Sequence, residues 1–181
     1  AARVQRVCVF LSSSAGLPAH ERAVRALAAE LARRDLTLVY GGAHRGLMGV
    51  LADEVLAAGA TAIGVIPRAL VELEVAHHGL TELHVVETMH ERKARMFVLA
   101  DAFVVAPGGF GTLEEAFEVL TGLQLEYHAK PIVFLDVGGF WAQLEGFLDH
   151  AVDTGVLRPE VRSMFRTAPN AAAALDVLAA W

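Results

Sequence analysis

What this sequence lacks narrows it before anything it contains. A single cysteine, Cys8, stands in 181 residues, so no internal disulfide can form and a reducing, cytoplasmic setting is expected. Cys8 lies in an apolar, strand-like run, where packing rather than thiol chemistry is its expected role. Positive charge is also scarce: 15 Lys and Arg stand against 21 Asp and Glu, a formal charge of −6. Such a chain has no long-range attraction for a nucleic acid polymer or anionic lipid, so any phosphate recognition must be local. No apolar run approaches the ~18 residues needed to cross a bilayer, and Val7 to Leu11 is shorter than the ~7-residue core of a signal peptide. No membrane partner is expected. The histidines, including adjacent His77 and His78, show no metal-ligand spacing, so no metal is expected either. No linker, repeat or low-complexity segment divides the chain, and residues 1–181 read as a single domain.

What is present is apolar and alternating. Apolar residues make up 55% of the chain and the mean hydropathy is +0.45, which fits a sheet buried on both faces and an apolar subunit interface. Strand-like runs fall at Val7 to Leu11, Leu36 to Tyr40, Ala60 to Ile66, Leu83 to Val86, Ala102 to Ala106 and Pro131 to Asp136, with an edge strand at Phe165 to Ala168. Helical patterns separate them: Pro18 to Arg34, a run after Gly46, Met89 to Ala100, Leu113 to Leu125, Phe140 to Val152, and an alanine-rich run to Trp181. Pro67 to Gly79 is polar and irregular, and Arg158-Pro159 reads as a loop. This order predicts an α/β fold: one doubly wound, Rossmann-like domain with a mainly parallel sheet covered by helices on both faces.

Ligands of such folds sit beyond the carboxyl ends of the strands, which directs attention to four loops. Ser12-Ser13-Ser14-Ala15-Gly16 can hold a phosphate or ribose, or simply cap the helix at Pro18. Gly41 to Gly49 spaces its glycines as G-G-x-x-x-G-x-x-G, which is not the dinucleotide fingerprint; no NAD or other cofactor is inferred. In the run Met89 to Ala100, the residues Met89, Met96, Leu99 and Ala100 form an apolar stripe and Arg92 falls among them. A buried guanidinium needs a carboxylate or a bound anion. Glu91 and Arg95 read as a solvated pair. The fourth loop, Pro107-Gly108-Gly109-Phe110-Gly111-Thr112-Leu113-Glu114-Glu115, joins a strand to a helix: a glycine-rich turn, a helix start suited to phosphate, then two carboxylates. Thr112 to Glu115 also matches a capping box, as does Thr88 to Glu91, so a structural role for Glu115 competes with a catalytic one.

Taken together, Gly41 to Gly49, Met89-His90-Glu91-Arg92-Lys93 and Pro107 to Glu115 resemble the Lonely Guy (LOG) family of cytokinin riboside 5′-monophosphate phosphoribohydrolases, in order from about Val7 to Val152. The likeness implies hydrolysis of the N-glycosidic bond of an N6-modified adenosine 5′-monophosphate, with no cofactor. It places Arg92 and Glu115 as the catalytic pair. Substrate contacts map to Glu74, His90, Lys93, Gly108, Gly109, Phe110, Gly111, Thr112, Glu114 and Thr121, with Ser13, Gly42 and Met48 from the first two loops. It further implies a homodimer with active sites near the interface. Family members are often labelled lysine decarboxylases, but no feature here is recognisable as a pyridoxal phosphate site. Phe10-Leu11 replaces the usual Cys-Gly, Ala43 a third glycine and Phe110 a frequent tyrosine, and these changes bear on substrate preference. The alternatives are a general purine or pyrimidine nucleoside 5′-monophosphate nucleosidase and a non-catalytic nucleotide or molybdenum-cofactor carrier.

Overall fold

Strand residues with Val, Ile, Leu and Phe at nearly every position must bury both faces, and the architecture follows from that need. The computed structural model describes residues 3–181. Among them a seven-stranded sheet runs in the order β4-β3-β2-β1-β5-β6-β7, with every pairing of neighbouring strands parallel. The strands are β1 (Arg6–Phe10), β2 (Thr37–Tyr40), β3 (Ala62–Pro67), β4 (Glu82–Val86), β5 (Ala102–Val105), β6 (Ile132–Leu135) and β7 (Thr167–Ala168). The helices are α1 (Pro18–Arg33), α2 (Gly46–Ala57), α3 (Met89–Leu99), α4 (Phe110–Gln124), α5 (Ala142–Asp153), α6 (Pro159–Arg162) and α7 (Ala171–Ala179).

The pleat divides the sheet into two cores. Val7, Val9 and Leu11 face α1, α2 and α7 through Leu27, Leu31, Leu51 and Leu175. Cys8 and Phe10 face the opposite side, where Met96 of α3, Ala116 and Val119 of α4, and Trp141 cover Phe103, Ile132 and Phe134. Cys8 is fully buried, and burial raises its thiol pKa well above the ordinary value, consistent with packing.

Because β1 lies between β2 and β5, the strand order reverses direction there, and the loops after β1 and β5 meet at the switch point. The Ser12 amide donates to the Pro107 carbonyl at 3.1 Å and ties those loops together. Loop two closes on loop one as well, since the Leu47 and Met48 amides donate to the Ser14 and Ser12 carbonyls at 3.1 and 3.3 Å. Gly46 adopts φ +55°, and a Cβ there would lie 2.2 Å from the Ser13 carbonyl oxygen, so this junction requires glycine.

Several expected boundaries shift. The helix expected from Leu113 begins at Phe110, and the one expected from Phe140 begins at Ala142 after a 3-10 turn at Val137–Gly139. The edge strand shrinks to Thr167–Ala168, and the Arg158-Pro159 loop contains α6, with proline in its first turn. Glu91 and Arg95 do not pair: Glu91 accepts from the Glu87 amide at 2.9 Å and Arg95 meets His84 at 3.0 Å.

Candidate active site

The start of α4 is an uncapped helix end at the switch point. Its N-cap is Gly109, which has no side chain to offer, and the first intrahelical bond runs from the Leu113 amide to the Gly109 carbonyl at 3.0 Å. The amides of Phe110, Gly111 and Thr112 therefore precede the helix ladder and point out of its positive end. A Cβ at Gly109 or Gly111 would meet nothing within 4 Å, so the space above this turn is open. By contrast, the Leu47 and Met48 amides at the start of α2 are already taken by the Ser14 and Ser12 carbonyls. Ser13 uses its backbone at the Gly46 junction, and Met48 is buried.

The capping box that competed for Glu115 at Thr112–Glu115 does not form. Thr112 is the third residue of α4 and is buried, and Glu115 lies beyond the first turn. The matching pattern at Thr88 is a genuine cap, whose hydroxyl accepts from the Glu91 amide at 3.1 Å. Glu115 is thereby released from the structural role that competed for it. Its carboxyl faces a cleft of about 520 Å³ lined by His90, Lys93, Phe97, Glu118, Val119 and Tyr127, among others. Burial pushes the Glu115 pKa up to about 7, opposed by the Arg92 charge and reinforced by Glu114 and Glu74. A carboxyl poised near neutrality in a cleft is suited to proton transfer.

Arg92 is buried, with 2% exposure, and its partners are those a buried guanidinium requires. Nε donates to the Val65 carbonyl at 3.0 Å, while Nη2 donates to the Gly41 carbonyl and to Glu74 Oε2 at 3.2 Å. The close approach explains Gly41, where a Cβ would stand 2.2 Å from Arg92 Nη2. Gly42, by contrast, accepts from the His77 amide through its carbonyl at 2.8 Å. Lys93 bridges to Glu114 at 2.7 Å and Glu118 at 2.8 Å, tying α3 to α4 beside the cleft. The hydrogen bonds that Lys93 donates to these glutamates raise its pKa.

Of the residues singled out from sequence, Arg92, Glu115, Glu74, Lys93, Glu114, His90 and the Gly108–Thr112 turn converge on this end of the sheet. Phe110 stands almost fully exposed beside them at 95%. Thr121 does not join them: it lines a separate small pocket with Phe117, Leu148 and Phe165, on the face of α4 turned toward α5. Sequence reading overlooked Glu118, although its spacing of three from Glu115 and four from Glu114 carries the signal. It also overlooked the aromatic wall of Phe10, Phe97 and Phe103, which only strand and helix packing brings together. One group with metal-ligand chemistry exists among the described residues, His44, Asp53 and His77.

The fold and site define a Rossmann-like α/β protein with an open helix start for an anion beside a buried arginine and a near-neutral carboxyl. Residues 48–178 match the family described as "Possible lysine decarboxylase". The chain is 44% identical over 170 residues to the cytokinin riboside 5′-monophosphate phosphoribohydrolase LOG7 of Arabidopsis thaliana, covering 93% of this chain and 78% of that protein. It is 52% identical over 134 residues to a cytokinin riboside 5′-monophosphate phosphoribohydrolase of Rhodococcoides fascians, covering 74% and 68% respectively. The chain belongs to the LOG family. Among solved structures, the molybdenum cofactor binding protein of Rippkaea orientalis superposes with a TM-score of 0.74 at 16% identity, over 97% of this chain and 96% of that one. At that identity the likeness is one of fold.

Proposed function

We propose that this chain hydrolyses the N-glycosidic bond of an N6-modified adenosine 5′-monophosphate, giving the free base, an active cytokinin, and ribose 5-phosphate. The observation that carries this reading is Glu115, freed from capping and held near neutrality one turn beyond the open amides of α4. The family's curated relatives are named for that reaction.

In this reading the 5′-phosphate sits on the Gly108–Thr112 turn, where the helix dipole and free amides offset its charge. Ionised Glu115 takes a proton from the attacking water as the water oxygen bonds to C1′. The base leaves with the electron pair of the glycosidic bond and takes up a proton from solvent, to which Glu115 returns the one it accepted, so that one water is consumed and the carboxylate is restored. Positive charge growing on the ribose is stabilised by the same carboxylate. Arg92, fixed on three sides, supplies a stationary positive charge that favours the ionised form of Glu115. Glu114, Lys93, His90 and Glu74 complete the substrate shell. Thr121 is left out of it because it faces another pocket.

The exposed apolar residues flanking the cleft, Val98 at 74% and Tyr127 at 81%, support a homodimer with its active sites near the interface. No helix among the described residues is long and apolar enough to cross a membrane; the lone cysteine supports a reducing, cytoplasmic setting, and the one seven-stranded sheet supports a single domain. Purified protein incubated with AMP and with isopentenyladenosine monophosphate should release free base, and the ratio of the two rates gives the base preference. Intact nucleotides after prolonged incubation at high protein concentration would overturn the activity.

A further inference from the structure

We propose that His77 and Asp53 are positioning residues for this site, latching a strained turn that aims Glu74 at Arg92; the catalytic part of this inference rests on the function proposed above. Glu74 is the carboxylate partner of the buried Arg92. It precedes Val75, which adopts φ +54°. A β-branched side chain in the left-handed region is a backbone outlier, and such a conformation persists only where its surroundings hold it. The backbone supplies one constraint: the His44 amide donates to the Val75 carbonyl at 2.7 Å and the His77 amide to the Gly42 carbonyl at 2.8 Å. The bridge between Ala43 and Ala76 is isolated, with no ladder continuing it on either side, and within the turn the Glu74 and Ala76 amides donate to the Leu70 and Val71 carbonyls at 2.8 and 2.9 Å.

The side chains supply the other. His77 is 6% exposed, and its Nε2 lies 2.6 Å from Oδ1 of Asp53, which projects from α2. Asp53 Oδ2 lies 3.4 Å from His44 Nε2, and the two imidazole rings pack with centroids 4.3 Å apart. The residue before Gly42 is Gly41, whose carbonyl accepts from Arg92. One short backbone segment thus holds an acceptor for the Arg92 guanidinium at Gly41 and an acceptor for the His77 amide at Gly42.

The same three side chains hold the donor set of a metal site, with their ligand atoms within 4.8 Å of one another. The hydrogen bonding excludes that use. His77 Nδ1 accepts from the Gly79 amide at 3.0 Å, which assigns the ring proton to Nε2, the atom that faces Asp53. The nitrogen a cation would require is a donor.

The test uses the full-length protein and two readouts. Asp53→Ala lies on an exposed helix face and does not disturb the core, and His77→Phe keeps the ring volume. Each should lower kcat for nucleotide hydrolysis about ten- to a hundredfold through misplacement of the Glu74–Arg92 pair, with KM changed less than about threefold, as expected when an interaction of the transition state is lost. Asp53→Asn retains an acceptor for His77 and should stay close to wild type. Val75→Asn in the Asp53→Ala background should recover most of the rate, because asparagine adopts the left-handed conformation readily without remaking the hydrogen bond. Unchanged kcat in both single variants, or no recovery with Val75→Asn, overturns the proposal. A rate that rises with added Zn²⁺ and falls in EDTA overturns it in favour of a metal site. Hydrogen exchange across residues 71–79 should quicken at least tenfold in Asp53→Ala and slow again with Val75→Asn. Unchanged exchange removes the latch. A wild-type protein that releases no base sinks only the functional reading, since exchange still decides whether the latch exists.

Discussion

A carboxylate that is to act as a base must be held away from water yet still ionise, and Glu115 meets those demands at the expense of stability. Its pKa is raised from 4.5 to about 7, with burial the largest cause. A raised folded-state pKa contributes stability that is fully present below the unfolded value and is lost as pH rises through about 7. That loss is on the order of 2–3 kcal/mol at most for a side chain that keeps some solvent contact. Glu115→Gln should therefore melt at least as high as wild type at pH 8, with the advantage vanishing near pH 4, while hydrolysis falls by about a hundredfold or more. Calorimetry at the two pH values checks the first outcome, and base release checks the second. A lower melting temperature at both would restore a structural role. In wild type, the rate should climb through about pH 7 to a plateau as the base ionises; a flat profile from pH 5 to 9 would remove Glu115 from proton transfer. Gly41→Ala gives a complementary test of Arg92, because the added methyl stands 2.2 Å from Nη2. It should destabilise the protein by about 1–3 kcal/mol, the usual cost of overpacking, and depress hydrolysis as well.

Helices α3 and α4 bring the two halves of the site together, and they start differently. Thr88 caps α3 with its side chain, whereas α4 begins at a glycine and leaves its amides open. Thr88→Ala should cost about 1 kcal/mol of stability, as N-cap removals do, measured by denaturant unfolding. The sequence shows the same Thr-x-x-Glu spacing at both places, and spacing alone could not tell the cap from the imitation. The difference arises because the Pro107 carbonyl is pinned to the Ser12 amide, so Gly109 is already placed as the N-cap of a helix whose first residue, Phe110, lies three residues before Leu113. The pair of ion bridges from Lys93 to α4 is another cross-helix feature. Its carboxylates are largely exposed, so Lys93→Met should change stability by no more than about 1 kcal/mol, while weakening nucleotide binding if Lys93 belongs to the substrate shell; isothermal titration separates the two effects.

At the scale of the whole molecule, the proposed dimer accounts for apolar side chains on α3 and beyond α4 that one chain leaves in water. Sedimentation should give twice the mass of the chain, and Val98→Asp should return it to one; a monomeric wild type would overturn the dimer. The alternation of apolar strands with amphipathic helices made the doubly wound fold legible from sequence, because a strand apolar at every position has no stable place except between two helical layers. The motifs around Arg92 and Glu115 marked the site for a similar reason: glycine-rich turns and a charged residue in an apolar stripe conflict with local preference and need a cause. What those residues do to one another was not legible. Arg92 finds Val65, Gly41 and Glu74 across 27, 51 and 18 residues of chain, and His77 finds Asp53 across 24. Sequence by itself determined which elements form and which residue types stand at their ends, since hydrophobic period and turn chemistry are local properties. Only the tertiary structure decided that Glu115 is free, that Thr121 faces another pocket and that Glu74 is held in place, because sheet order and burial set those distances and charges.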